Sequence, residues 1–166
     1  REILVIYLSG IGDTVMVATC IAAIARHYPM AKISFLSSSQ NHEIVRDNPY
    51  ISECHNLKTT EGIVGFIRTL CRTLRNIRQV KYDVVIDFEQ FLRLSAIVCL
   101  ISKARVTLGF RTQSQYRHHA FNHAVHFDPS IHTLDNFFRL MRKYEIAAGP
   151  RQLEPVFVTE KNKTIV

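Results

Sequence analysis

The chain has 166 residues, 47% of them hydrophobic, which suits one packed core rather than several domains. Its 21 Lys and Arg against 14 Asp and Glu give a net charge of +7, which favours an anionic partner (phosphate, acidic glycan, anionic lipid or nucleic acid) without choosing among them. The longest apolar run, Leu94 to Ile101, is far short of the ~20 residues that span a bilayer, and no charged leader precedes the first strand, so the expectation is a cytoplasmic protein.

The first element predicted is a strand, Ile3 to Leu8, which empties through Ser9-Gly10-Ile11-Gly12-Asp13 into a helix from Thr14 to Tyr28 that Pro29 closes. A second strand, Lys32 to Ser37, precedes a short helix, Asn41 to Arg46, that stops before Asn48-Pro49. A third strand, Glu53 to Leu57, leads to a helix from Gly62 to Val80 whose Ile63, Ile67, Leu70, Leu74 and Ile77 form one apolar stripe. Tyr82 to Phe88 is a β-branched fourth strand, followed by helix Leu92 to Lys103 and strand Arg105 to Phe110. A polar loop, Arg111 to Asn122, a short strand, Ala124 to Phe127, and a helix, Ile131 to Ile146, complete the order, with Ser130 as the expected cap of that last helix.

Strands alternating with helices of this length predict an α/β fold, an open and mostly parallel Rossmann-like sheet with helices on both faces and ligands at the carboxyl ends of its strands. Gly149-Pro150 ends the last helix, Pro155 to Phe157 reads as extended and Glu160 to Lys163 is charged. Residues 1–150 therefore read as one domain and 151–166 as the start of a linker to a second domain.

The strand-to-helix turn at Ser9–Asp13 brings free backbone N–H groups and the positive end of a helix dipole to one point beside a carboxylate. Dinucleotide binding is disfavoured there. Val15 stands where a third glycine belongs, and the second strand ends in Ser37-Ser38-Ser39 rather than in an acid for the ribose. Asp13 has two local readings, helix capping and general base at the rim.

Cys20, Cys54, Cys71 and Cys99 are widely spaced, with no C-x-x-C, and read as buried thiols of a reducing compartment. His118, His119, His123 and His126 have no carboxylate or cysteine at ligand spacing, so no metal site is expected. Arg68, Arg72 and Arg75 share a helix flank. They read either as a solvated face or as contacts to acceptor phosphates or a membrane surface. Arg111 and Arg117 lie in the polar loop, where an anionic acceptor would meet them. Basic residues interleaved with aromatics in a nucleic-acid motif are missing, so no nucleic-acid partner is expected.

The run Ile3-Leu4-Val5-Ile6-Tyr7-Leu8-Ser9-Gly10-Ile11-Gly12-Asp13, continuing through Val15 to Thr19 and Tyr28-Pro29, resembles the N-terminus of glycosyltransferase family 9, the ADP-heptose:lipopolysaccharide heptosyltransferases. Ordered matches follow at Asn48 to Ile51, Lys81 to Asp87, Leu108 to Arg111 and His132 to Leu140, so the resemblance covers nearly the whole chain. It implies the N-terminal, acceptor-binding half of a GT-B enzyme, with the nucleotide sugar held by the other half.

The reaction so implied is an inverting, metal-independent transfer of a sugar, heptose from ADP-heptose, to a hydroxyl of a lipopolysaccharide-type or lipid-linked acceptor at the cytoplasmic face of the inner membrane. Asp13 is its general base; Ser9, Gly10, Gly12, Asp87, Glu89, Gln90 and Arg111 are its acceptor-binding set. The nucleotide sugar is a co-substrate and no cofactor is implied. This half alone is expected to be inactive. Ala18-Thr19 and Asp87-Phe88-Glu89-Gln90 depart from the family pattern, which points to a changed acceptor or to drift at packing positions. The alternatives are transfer of another sugar in O-antigen or exopolysaccharide assembly, and a non-catalytic Rossmann-like module that binds anions.

Overall fold

The computed structural model describes residues 1–58, 62–147, 153–155 and 157. The strands are β1 (Glu2–Ile6), β2 (Lys32–Ser38), β3 (Glu53–Leu57), β4 (Val84–Asp87), β5 (Val106–Arg111) and β6 (His123–His126). The helices are α1 (Ile11–His27), α2 (His42–Val45), α3 (Gly62–Gln79), α4 (Arg93–Ser102) and α5 (Thr133–Arg142), and a 3₁₀ turn spans Arg117–Ala120. Among the described residues the strands form one sheet in the order β3-β2-β1-β4-β5-β6, and every pairing is parallel. This is the expected Rossmann-like α/β architecture.

The order has a physical consequence. From β1 the chain moves outward through β2 to β3, then returns to the other side of β1. Right-handed crossovers put helices on opposite faces before and after such a reversal. Accordingly α1, α2 and α5 cover one face and α3 and α4 the other, and side chains of β1 alternate between them. Ile3, Val5 and Tyr7 enter the α1–α5 core, whereas Leu4, Ile6 and Leu8 enter the α3–α4 core. The reversal lies between β1 and β4, so the crevice that parallel sheets use for ligands opens above Tyr7–Gly10 and Asp87–Gln90.

Several local expectations change. The first helix begins at Ile11 rather than Thr14, which places Gly12 and Asp13 in its first turn. The stripe of α3 is only half covered: Ile77 is fully buried and Leu70 and Leu74 pack on the core, but Ile63 and Ile67 are 80% and 52% exposed. Periodicity identifies the apolar side of a helix; it does not say where the neighbouring layer stops. The cap of α5 is His132, whose Nδ1 accepts from the Leu134 N–H at 3.2 Å; Ser130 sits too early and instead donates to Asp128 Oδ1 at 2.6 Å. Cys20 and Cys99 are buried as expected, Cys54 is half-buried and Cys71 is exposed on the outer side of α3.

Gly109 of β5 is required by a close approach. A Cβ there would stand 2.3 Å from the ring of Phe121, which lies against the strand. The proposed linker, 151–166, falls mostly outside the described residues. Of those described, Glu154 lies along α1, its N–H donating to Thr19 Oγ1 at 3.0 Å and its carboxylate accepting from Arg26 at 2.7 Å. No helix among the described residues is long and apolar enough to cross a membrane.

Candidate active site at the carboxyl edge of the sheet

Asp13 stands half-buried in the first turn of α1, at the rim of the crevice. The Tyr7 hydroxyl, at the end of β1, donates to its Oδ2 at 3.0 Å. Burial, followed by the nearby charges of Asp13 and Glu89, holds the Tyr7 phenol far above its ordinary pKa, so it stays a donor. A carboxylate with one oxygen steered by a permanent donor and with access to solvent is suited to receive a proton from an incoming hydroxyl.

The loop beneath Asp13 is clamped from both sides. Glu89 Oε1 accepts from the N–H groups of Leu8 and Ser9 at 2.6 and 2.7 Å, and its Oε2 accepts from Ser9 Oγ at 2.9 Å. On the β2 side, buried Asn41 donates from Nδ2 to the Tyr7 carbonyl at 2.9 Å and to Thr14 Oγ1 at 3.2 Å, and its Oδ1 accepts from the Ser38 N–H at 2.9 Å. Of the turn's amides, that of Ser9 is therefore occupied by the protein's own carboxylate, together with that of Leu8 at the strand end.

Glu89 is itself held from below. Asp87 Oδ1 accepts from the Glu89 N–H at 2.9 Å, and Asp87 Oδ2 meets Arg117 Nη2 at 2.6 Å with both side chains fully excluded from solvent. Arg117 also donates to Ser95 Oγ at 2.8 Å and to the Glu89 carbonyl. Burial pushes the Asp87 carboxyl up to about 7 against the opposing pull of the Arg117 guanidinium.

Expected acceptor ligands thus divide. Asp87 and Glu89, 0% and 2% exposed, lie under the loop with their oxygens engaged by the protein itself. Arg117 is 3% exposed and committed to the same brace, so it does not face the loop surface that its polar neighbours suggest. Gln90 is buried as well, but its Nε2 has no hydrogen-bond partner, while its main-chain carbonyl accepts from Thr112 Oγ1 at 2.6 Å. Ser9 is half-exposed, and the space above Gly10 and Gly12 is open, with nothing within 4 Å of where a Cβ would sit.

Arg111, at the end of β5, is exposed and lines a recess of about 360 Å³ with Thr112, Tyr116, His118 and His126. Arg68 and Arg72 line a separate recess of about 350 Å³ between β3 and α3, and Arg75 lies with both along the outer side of α3. Among the described residues no three His, Cys, Asp or Glu side chains converge on a point that would hold a metal ion. Tyr7 and Asn41 were not singled out from the sequence, where Tyr7 falls within the predicted first strand and Asn41 opens the predicted short helix.

The sheet order, the helices on both faces and a crevice at the reversal define a Rossmann-like α/β domain. The family model described as glycosyltransferase family 9 (heptosyltransferase) matches residues 70–164, more than half of the chain. The chain belongs to glycosyltransferase family 9. No curated protein matches it.

Solved structures share the fold at low identity. A family 9 glycosyl transferase from Veillonella parvula superposes with a TM-score of 0.81 at 16% identity, over 97% of this chain and 46% of that one. The E. coli heptosyltransferase WaaC, solved with ADP, gives 0.76 at 15% identity, over 93% and 51%. The E. coli ADP-heptose lipopolysaccharide heptosyltransferase II gives 0.72 at 18% identity, over 99% and 49%. The chain spans about half the length of these proteins.

Proposed function

We propose that this chain is the acceptor-binding half of an inverting glycosyltransferase that transfers a sugar from a nucleotide sugar, of the ADP-heptose class, to a hydroxyl of a lipopolysaccharide-type acceptor. The observation that carries the reading is the Tyr7–Asp13 pair, a steered carboxylate at the rim of the crevice where the strand order reverses. Asp13 takes the acceptor hydroxyl's proton as that oxygen bonds to the anomeric carbon. The bond from that carbon to the diphosphate oxygen breaks, and its electron pair leaves with the nucleotide diphosphate. This sequence requires no bound metal and inverts the anomeric configuration.

Ser9, Gly10 and Gly12 leave room for the acceptor above the loop, and Arg111 and the unpartnered Nε2 of Gln90 are the groups we assign to it. The donor is assigned to the other half of the enzyme, and residues 1–166 alone are expected to show no transfer. The test is Asp13→Asn in the full-length protein. General-base loss should lower turnover about 10²–10⁴-fold while donor binding, read by calorimetry with the nucleotide, stays unchanged. Turnover within a few-fold of the parent would overturn the assignment. A panel of nucleotide sugars assayed with the parent enzyme decides between heptose and another sugar.

A further inference from the structure

Neither helix of the α3–α4 layer contains an Asp or Glu. Over Gly62–Gln79 and Arg93–Ser102 the charged residues are Arg68, Arg72, Arg75, Arg78 and Arg93, whereas α1, α2 and α5 carry Asp13, Glu43 and Asp135. The same layer exposes large apolar side chains. Ile63 and Val64 are 80% and 82% exposed and Ile67 52% in the first turns of α3, and Ile97 and Leu100 are exposed on α4. Beside the apolar turns, Lys58, Arg68, Arg72 and Asn76 line the recess between β3 and α3, which is large enough for a phosphate headgroup and has the Glu53 carboxylate on its β3 side. Because β3 is parallel to β1, α3 starts at the carboxyl edge of the sheet, the edge that also carries Asp13.

We propose that the α3–α4 layer docks on an anionic phospholipid surface, with its arginines on headgroup phosphates and Ile63, Val64 and Ile67 entering the acyl boundary. Two helices whose charged residues are all arginines complement a negative leaflet, and an apolar turn projecting from them adds the second anchor that charge alone lacks. This deepens the glycosyltransferase reading on which its purpose rests, since a lipid-linked acceptor lies in such a surface and the crevice opens at the same edge. Lipid binding is measured without turnover, so either reading can fail alone.

The experiment is co-sedimentation of the protein with vesicles of phosphatidylcholine, with and without about one-third phosphatidylglycerol, at low and high salt. The parent should bind the anionic vesicles at least roughly tenfold more strongly, and lose most of that binding at about 0.5 M salt. Arg68→Gln/Arg72→Gln/Arg75→Gln and Ile63→Ser/Val64→Ser/Ile67→Ser should each weaken it by roughly tenfold or more. Unchanged circular dichroism of both variants would show that they fold, and Asp13→Asn should sediment like the parent. The inference is overturned if the two vesicle types bind equally, or if either triple variant binds like the parent. A serine variant that converts a dimer to a monomer in gel filtration would also overturn it, by assigning the face to a second copy.

Discussion

On the α1–α5 face of the sheet Phe35, Phe88, Phe110 and Phe137 are fully buried in an unbroken apolar core, three of them within aromatic contact at 5.0 and 6.1 Å between ring centroids. On the α3–α4 face the core is smaller, it surrounds a solvent-excluded Asp87–Arg117 pair, and its outer helices present arginines and bare isoleucines. The difference separates two tasks. Each buried phenylalanine contributes about 1.5–3 kcal/mol, so the first face supplies most of the apolar stability, and it meets the site through Tyr7, whose ring packs edge-on to Phe137 while its hydroxyl reaches Asp13. The second face holds the carboxylate that grips the Leu8–Ser9 amides, and so sets the loop from which Asp13 projects.

The largest expected effects break the two faces in different ways. Phe137→Ala should cost about 3–5 kcal/mol through a cavity that its neighbours only partly fill. Arg117→Met should cost about as much, 3–5 kcal/mol, because it leaves Asp87 buried beside Glu89 without its cation. Urea unfolding distinguishes them through a second site. Asp87→Val added to Arg117→Met should recover most of the loss, since an apolar pair of similar size replaces the stranded charge. No neighbouring substitution should do the same for Phe137→Ala. A double variant as unstable as the sum of its singles would mean that the Asp87–Glu89 hydrogen bond, and not the ion pair, carries the brace.

A smaller effect comes from one histidine on each face. Burial lowers the pKa of His55, which lies 3.5 Å from Tyr82 Oη on the α3 side, with Glu53 opposing the shift. Burial also lowers that of His42, which lies 2.9 Å from Ser37 Oγ beside α2, with Glu43 opposing it. A histidine depressed in the folded state binds protons more readily when unfolded. Its contribution is intact above the unfolded value of about 6.5 and is lost as pH falls below it, through the lowered folded values. Asp87, raised to about 7 by burial, works in the opposite sense over the same window, gaining stability as pH falls. The histidine contribution is therefore read as a difference from the parent: His42→Gln and His55→Gln should each shift the change in thermal midpoint from pH 7 to pH 5 upward. If both variants change with pH as the parent does, neither ring is held neutral by burial.

The strand and helix order was legible because each element is bounded by its own chemistry, the β-branched run of β4 or the Pro29 stop after α1. The place of Asp13 at the rim of the crevice was legible because strand, glycine loop and helix adjoin in sequence, whereas its role as base is implied only by the family resemblance. Its support was not legible. Glu89 reaches Leu8 and Ser9 across about 80 positions, and Arg117 reaches Asp87 across 30, so nothing local marks either as buried. A polar loop ordinarily faces solvent, and Arg117 departs from that only because the 3₁₀ turn carries it under α4, where Asp87 and Ser95 can receive it. Tyr7 and Asn41 have the same history: their roles arise from register between β1, β2 and α1, which sequence spacing does not contain.

The smallest expected effect tests the contrast within one helix. Ile63 and Leu74 belong to the same apolar stripe of α3, but Leu74 packs on the core of that face and Ile63 is 80% exposed. Leu74→Ala should therefore cost about 2 kcal/mol, and Ile63→Ser about 0.5 kcal/mol or less, both read from urea midpoints at one pH. The inner half of the helix would then serve the fold, while its outer turns are kept apolar for something other than folding. If Ile63→Ser costs as much as Leu74→Ala, the first turn of α3 is covered in solution, and the two faces differ less than their exposure indicates.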